Sequence, residues 1–340
     1  MRVQLCLFSL AATACFAADA PKITVARWPG GRVAAVSLTF DDGLQTHLDV
    51  AGPVLKKHGL HGTFFVNTSG GVWREHAGGW RRLAAEGNEL GNHTASHPCL
   101  SDEITPAWRE LTPAMMEAEV RGAAREIAKQ TGATRGMTFA FPCGNTSFGA
   151  PGEQARNSAL YLQYVADCCF AARAYTGSGA QNPDEMNVLG IVDLGRTVGR
   201  DGPGLLAMLE PAVRNGAWGI YTFHGTGGQY LSVSAGALDE LAGYLERHPE
   251  IWTATFGDAM RYTQERRSLG IEMAGAAEAR LSWPLDPKIY DLPLTLRVEL
   301  PEGWTSARVE GAAASKMAGR VLFADVPQGT KIVRIVPGRG

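Results

Sequence analysis

The run SLTFDDG (37–43) ends an apolar stretch in two adjacent carboxylates, Asp41 and Asp42. With the residues before it, VAAVSLTF reads as a buried strand. Neighbouring side chains at a strand end point to opposite faces. Two carboxylates sharing one small pocket would repel. Taken alone, DDG reads as a surface turn in which Gly43 supplies a permissive backbone. What surrounds the pair in the fold decides between a turn and a site.

Outward from this run, strand-like and helix-like stretches alternate from about 33 to 265. THLDVAGPVLKKHG is helical and stops at Gly59; GTFFVN is the next strand. The clearest helix covers 112–132, with Thr112 as cap, Pro113 at the first position and Gly132 as the stop. MTFAFP, DCCFAARAY, MNVLGIVDL, WGIYTFH and IWTATF read as further strands. GPGLLAMLEPAVRNG reads as helical despite Pro211. In SAGALDELAGYLERH, Leu238, Leu241, Ala242 and Leu245 fall at helical-face spacing. Such alternation predicts an α/β fold of parallel strands with helices outside, as an open sheet or a barrel. Chemistry then sits where strands end and loops begin.

After about 270 the pattern changes. LTLRVEL, SARVEG, GRVLFADV and TKIVRIV are short strand-like runs split by PEG and VPQG turns, which predicts a small all-β domain, sandwich-like. The chain of 340 residues is expected to divide accordingly: 1–17 a signal peptide, 30–268 the large α/β domain, 271–340 the β-sandwich-like accessory domain. The N-terminus supports the first assignment. Arg2 precedes an apolar run too short to span a bilayer, and Ala17 follows a small-x-small pattern. Export to the periplasm or outside the cell is expected, with no transmembrane segment. The net charge of −2 and the lack of a Lys/Arg-rich run argue against a nucleic-acid partner. Beyond Ala17 stand Cys99, Cys143, Cys168 and Cys169. Four cysteines permit three pairings, and neighbours such as Cys168 and Cys169 are poorly placed to pair with each other. At least two are expected as buried thiols.

Three more polar groups stand at strand ends. NHTASHP places His93 and His97 four apart; FAFPCG (139–144) ends a strand in a tight turn; YTFHGTGG ends another at His224. Two imidazoles and one carboxylate make a divalent-metal shell with open positions. A carboxylate off the metal can act as general base, a second His can protonate a leaving group, and backbone N–H groups in a turn can hold an oxyanion. The adjacent aspartates then become a division of labour, and a cation relieves their repulsion.

TFDDG, HTASHP, FAFPCG and IYTFH, in this order, resemble the motifs of the polysaccharide deacetylases, the NodB-homology or carbohydrate esterase family 4 group. The resemblance covers about 33–265. It implies a deformed (β/α) barrel and a metal-dependent hydrolase that removes N- or O-linked acetyl groups from a carbohydrate polymer or oligomer. Carried over by position, it implies Asp41 as general base, Asp42, His93 and His97 as ligands of a divalent metal, usually Zn2+, and His224 as general acid. The backbone N–H of Cys143 would help hold the oxyanion; Pro142, Ile220 and Thr222 would line the acetyl group. Two departures stand out. Many members carry an arginine that orients the base where this chain has Ala140, and Arg173 or Arg196 are the candidates to replace it. The aspartate that usually pairs with the catalytic His is not evident, and Asp193 is its candidate.

Other residues have ordinary readings. His47, His58, His61, His76 and His248 are taken as structural or exposed, and Trp218 and Tyr221 as barrel packing. Trp283 and Trp304 are read as core of the β domain rather than stacking faces. The loop after His224 could cover the site or simply turn. Two rival functions share the motif residues: a non-catalytic glycan-binding protein, given Ala140, and a 2-His-1-carboxylate iron oxygenase, a class usually built on antiparallel β scaffolds.

Overall fold

The computed structural model describes residues 20–99, 105–132 and 136–338; the expected signal peptide lies outside them. In chain order the strands are β1 Lys22–Val25, β2 Ala34–Phe40, β3 Thr63–Val66, β4 Glu89–Asn92, β5 Met137–Ala140, β6 Cys169–Ser178, β7 Ile191–Asp193, β8 Trp218–Phe223 and β9 Ile251–Thr253. Strands β2 to β9 form one parallel sheet in the order β7-β6-β5-β4-β3-β2-β8. Its ends meet: Leu194 N–H donates to the Ile220 carbonyl at 2.8 Å, and Gln181 and Trp218 exchange backbone hydrogen bonds. The sheet therefore curls into a barrel. The barrel is deformed at β2, which pairs with β8 along one edge while β9 takes the lower half of the other edge and β3 the upper half.

The runs AAVSLTF, TFFV, MTFA and WGIYTF are buried at every residue, as expected for strands covered on both faces. Alternation sorts their side chains. Val36, Leu38, Phe40, Phe64, Phe139, Tyr221 and Phe223 pack outward against the helices. Ala35, Phe65, Ala140, Ala171, Trp218 and Ile220 belong to a second core. This inward set includes several small residues because a tightly curled barrel has little interior volume. Gly91 shows the constraint: a side chain there would stand 2.4 Å from the Phe65 ring.

The helices expected at 112–132, 202–215 and 235–247 form. Thr112 Oγ1 accepts from Met115 N–H, Gly132 ends its helix at φ 69°, and Pro211 lies inside Gly202–Asn215. A helix at Gln154–Ala166 was not anticipated, although Asn157, Tyr161, Tyr164 and Val165 bury one face of it. The C-terminal strands are β10 Gly270–Gly275, β11 Glu278–Ser282, β12 Leu294–Glu299, β13 Ala307–Glu310, β14 Ala314–Ala318, β15 Val321–Val326 and β16 Ile332–Pro337. They form two antiparallel four-stranded sheets, β1-β12-β15-β14 and β10-β11-β16-β13. The N-terminal β1 completes the first sheet, with Lys22 opposite Glu299 and Val25 opposite Leu296. Residues 22–25, left unassigned by the sequence pattern, thus pair with strands some 270 positions later. Strands β10 and β14 escaped pattern reading because most of their residues are exposed. Among the described residues, no helix is long and apolar enough to cross a membrane.

Candidate metal centre and active site

Several inward-facing series end at the same mouth of the barrel. Ser37 and Thr39 lead to Asp41, Glu89 and Gly91 to His93, Ala171 to Arg173, and Ile220 and Thr222 to His224. Asp41 stays in register, its N–H bonded to the Phe223 carbonyl at 2.9 Å. Asp42 then leaves the strand with φ 77°, followed by Gly43 at 61°. A left-handed residue breaks the strand's alternation, so neighbouring carboxylates need not face opposite ways. Aspartate tolerates that conformation better than most residues.

The segment after β4 is folded by its own side chains. Asn92 Oδ1 accepts from Thr94 N–H, Thr94 Oγ1 accepts from His97 N–H, and Glu119 accepts from both N–H and Oγ of Ser96. Thr94 and His97 both have positive φ, 67° and 59°. This turn brings His93 and His97 together, their ring centroids 4.8 Å apart. Asp42 Oδ1 lies 3.5 Å from His93 Nε2 and 3.3 Å from His97 Nε2. The three ligand atoms lie within 4.8 Å of one another.

These residues fit a divalent cation. Asp42 Oδ1 is buried with no hydrogen-bond donor. His93 Nδ1 lies 2.7 Å from the Ala140 carbonyl, which can only accept, so Nδ1 carries the proton and the Nε2 lone pair faces Asp42. Burial holds His97 down at about 4, in the neutral form a ligand needs. Burial would also lower His93, but the Asp41 and Asp42 carboxylates outweigh it and raise it. A cation would compete for that position. Burial likewise favours protonated Asp42, yet the three histidines hold it far below the usual carboxylate range.

Asp41 has a different partner. Both its oxygens lie 2.5 Å from one terminal nitrogen of Arg173, and both side chains are buried. Arg173 is the Cα partner of Ala140 in the β5–β6 pairing, so the guanidinium comes from the adjacent strand at the same height. Burial acts to raise the Asp41 carboxyl; Arg173, with His93 and His224, reverses this and holds it below its ordinary value. Behind Arg173, Asp193 Oδ2 stands 3.8 Å from its other terminal nitrogen.

His224 presents Nε2 4.0 Å from Asp42 Oδ2, on a partly exposed ring. Its backbone is fixed by a residue that sequence reasoning set aside. His47 is fully buried; its Nδ1 accepts from Leu44 N–H, so Nε2–H donates to the His224 carbonyl at 2.9 Å. Burial pushes His47 down to about 4, which keeps this neutral tautomer. Its place three residues after Leu44, in the turn leaving DDG, was the available signal. On the opposite rim, Cys143 adopts φ 51° and its N–H donates to no described residue, while Gly144 and Asn145 use theirs within the turn. A disulfide joins Cys143 to Cys99, two residues past His97, and Cys168 and Cys169 are free thiols.

The sequence model of the polysaccharide deacetylases matches residues 20–162, the stretch that carries Asp41, Asp42, His93, His97 and Cys143. Over this stretch the chain is similar to the polysaccharide deacetylases. Relatives include a chitooligosaccharide deacetylase of Rhizobium leguminosarum bv. trifolii, 37% identical over 103 residues (28% of this chain, 45% of that protein). A chitin deacetylase of Arthroderma benhamiae is 44% identical over 70 residues (19% of this chain, 18% of that protein). A gellan lyase of a Bacillus species is 24% identical over 350 residues, covering 93% of this chain but 13% of that protein. The chain thus spans less than half the length of these relatives. Among solved structures, the peptidoglycan deacetylase PdaC from Bacillus subtilis has a TM-score of 0.46 at 20% identity, over 71% of this chain and 95% of that one.

Around this site, some expected placements do not hold. Arg196 is exposed and its carbonyl accepts from Arg200; it does not reach Asp41. Asp193 does not pair with His224; it is buried beside Arg173, with Oδ1 accepting from Gly195 N–H. Ile220 and Thr222 are buried below His224, and Pro142 is buried in the turn before Cys143. Trp218 and Tyr221 are fully buried as packing, and Trp283 and Trp304 are half-buried against the second core.

Proposed function

We propose that the protein is an exported, metal-dependent hydrolase that removes acetyl groups from an acetylated carbohydrate. Asp42, His93 and His97 would hold the ion, with Zn2+ suited to this N/O donor set. A divalent ion there supplies Lewis-acid polarisation of the acetyl carbonyl and acidifies water. Asp41, kept ionised and aimed by Arg173, accepts the proton of the attacking water. The Cys143 N–H donates to the carbonyl oxygen as charge develops on it. His224, held through its carbonyl by His47, passes a proton to the departing amine or alcohol of the sugar. Thr222 and Pro142 would border the acetyl methyl, with Ile220, which has no exposed surface, packed beneath them.

One observation carries this reading: the adjacent aspartates face different partners, Asp41 an arginine and Asp42 two histidines. A metal ligand and a separate base are what metal-assisted hydrolysis needs. Arg173 also supplies the positive charge that Ala140 does not, which favours an active enzyme over a glycan-binding relic. The test is acetate release with Zn2+ across acetylated glycans. Asp41→Asn should lose turnover and keep its metal; His93→Ala and His97→Ala should lose the metal as well. Full activity of Asp41→Asn would sink the mechanism. Oxygen consumption with tightly bound iron would favour the oxygenase instead.

A further inference from the structure

His224 is followed by GTGGQYLSV, a loop that folds back on itself. Gly225 N–H donates to the Tyr230 carbonyl, Gly227 N–H to the Val233 carbonyl, and Gly228 N–H to Ser232 Oγ. Only glycine fits at 225, where a side chain would stand 2.2 Å from the Gly228 carbonyl oxygen. The loop is also anchored outside itself. Thr226 Oγ1 donates to the Thr46 carbonyl, and Gln229 Oε1 accepts from Thr46 N–H. Thr46 adjoins His47, the residue that fixes His224.

At the tip, Tyr230 is 62% exposed. Its ring lies 6.0 Å from the His224 ring at an interplanar angle of 84°. The residues on both sides of it, Gln229 at φ 63° and Leu231 at φ 45°, are left-handed without being glycine. Such conformations are costly and persist only where surrounding bonds impose them. Here they hold a large, mostly exposed aromatic ring beside His224, where burial gives little back.

We propose that Tyr230 is a stacking platform for the sugar ring that carries the acetyl group, and that the protein selects pyranose-borne acetyl groups through it. This rests on the deacetylase reading above. If His224 protonates the leaving group, the leaving group is the sugar itself, so the sugar ring must lie next to His224. A pyranose has an apolar C–H face, and an aromatic ring offers those hydrogens a negative π surface. A ring fixed by its loop before binding loses little freedom when the sugar arrives.

The test compares wild type, Tyr230→Ala and Tyr230→Phe, all Zn2+-loaded, on acetylated glucosamine and xylose oligomers and on ethyl acetate, which has no ring. Oligomer binding is also measured by calorimetry in Asp41→Asn with and without Tyr230→Ala. The expected result is a KM and a dissociation constant raised roughly tenfold on the oligomers by Tyr230→Ala. Its kcat, its rate on ethyl acetate and its melting temperature should stay at wild-type values, and Tyr230→Phe should behave as wild type. Unchanged KM and binding for Tyr230→Ala, with wild type active, would overturn the platform and leave the deacetylase reading standing. Failure of wild type to bind or deacetylate any oligomer would remove that reading and the platform together.

Discussion

Replacing Arg173 with alanine strips the counter-charge from Asp41, a carboxylate only 5% exposed. The lost contact is a pair of 2.5 Å bonds from one nitrogen. Deleting one partner of a buried ion pair costs roughly 3–5 kcal/mol. The protein can relieve part of this by protonating Asp41. Burial, the largest influence on that carboxyl, would then be opposed only by His93 and His224, and its pKa rises. The sign follows. In the intact protein the lowered carboxyl contributes stability above the ordinary aspartate range, and this is lost as pH falls through its folded value. In Arg173→Ala that contribution shrinks, and the acid limb of kcat/KM moves to higher pH. With Asp41 no longer aimed by the guanidinium and its ionised form less favoured, kcat/KM at pH 7 should fall at least ~100-fold, equivalent to about 2.7 kcal/mol. The register offers a rescue: Ala140 is the Cα partner of Arg173. Arg173→Ala combined with Ala140→Arg returns a guanidinium from the adjacent strand and should recover ~10-fold or more. The assay is acetate release against pH with thermal unfolding of each variant. A wild-type pH profile and unchanged melting temperature for Arg173→Ala would refute the reasoning.

Reducing the Cys99–Cys143 disulfide frees a loop of 44 residues, worth about 4 kcal/mol by loop-closure entropy. It also unties the turn bearing the Cys143 N–H from the segment bearing His97; lower melting temperature and weaker Zn2+ binding after reduction are expected, and unaltered Zn2+ affinity would count against the link. His47, held neutral with a pKa of about 4, loses stability for the fold as pH drops from about 6.5 toward 4, on the order of 3 kcal/mol. His47→Gln should flatten the melting-temperature curve over that window, and an equally steep curve would contradict it. Thr222 Oγ1 is buried without a hydrogen-bond partner; Thr222→Val should therefore gain roughly 1 kcal/mol in denaturant unfolding, and a clear loss would show that the hydroxyl has a partner in solution.

The sequence by itself determined the alternation that makes a parallel α/β fold, the strand ends where polar groups stand, and the spacing of DDG, HTASH and FHG. These are local properties. Buried strands need continuous apolar runs, and a turn needs the residues that permit it. Tertiary structure alone decided which side chains meet. Arg173 and Arg196 were equal candidates in sequence, yet only Arg173 lies on an inward position of a strand that neighbours β5 in register. Asp193 belongs to that arginine and not to His224, because Leu194 beside it bonds to Ile220, four residues short of His224, while its Oδ2 lies 3.8 Å from Arg173. The pairing of β1 with β12 was illegible, since four half-exposed residues carry no record of a partner so far along the chain. Asp41 and Asp42 were always adjacent. What separates them is the left-handed turn at Asp42, which lets one carboxylate remain with the barrel's arginine while the other joins the two histidines.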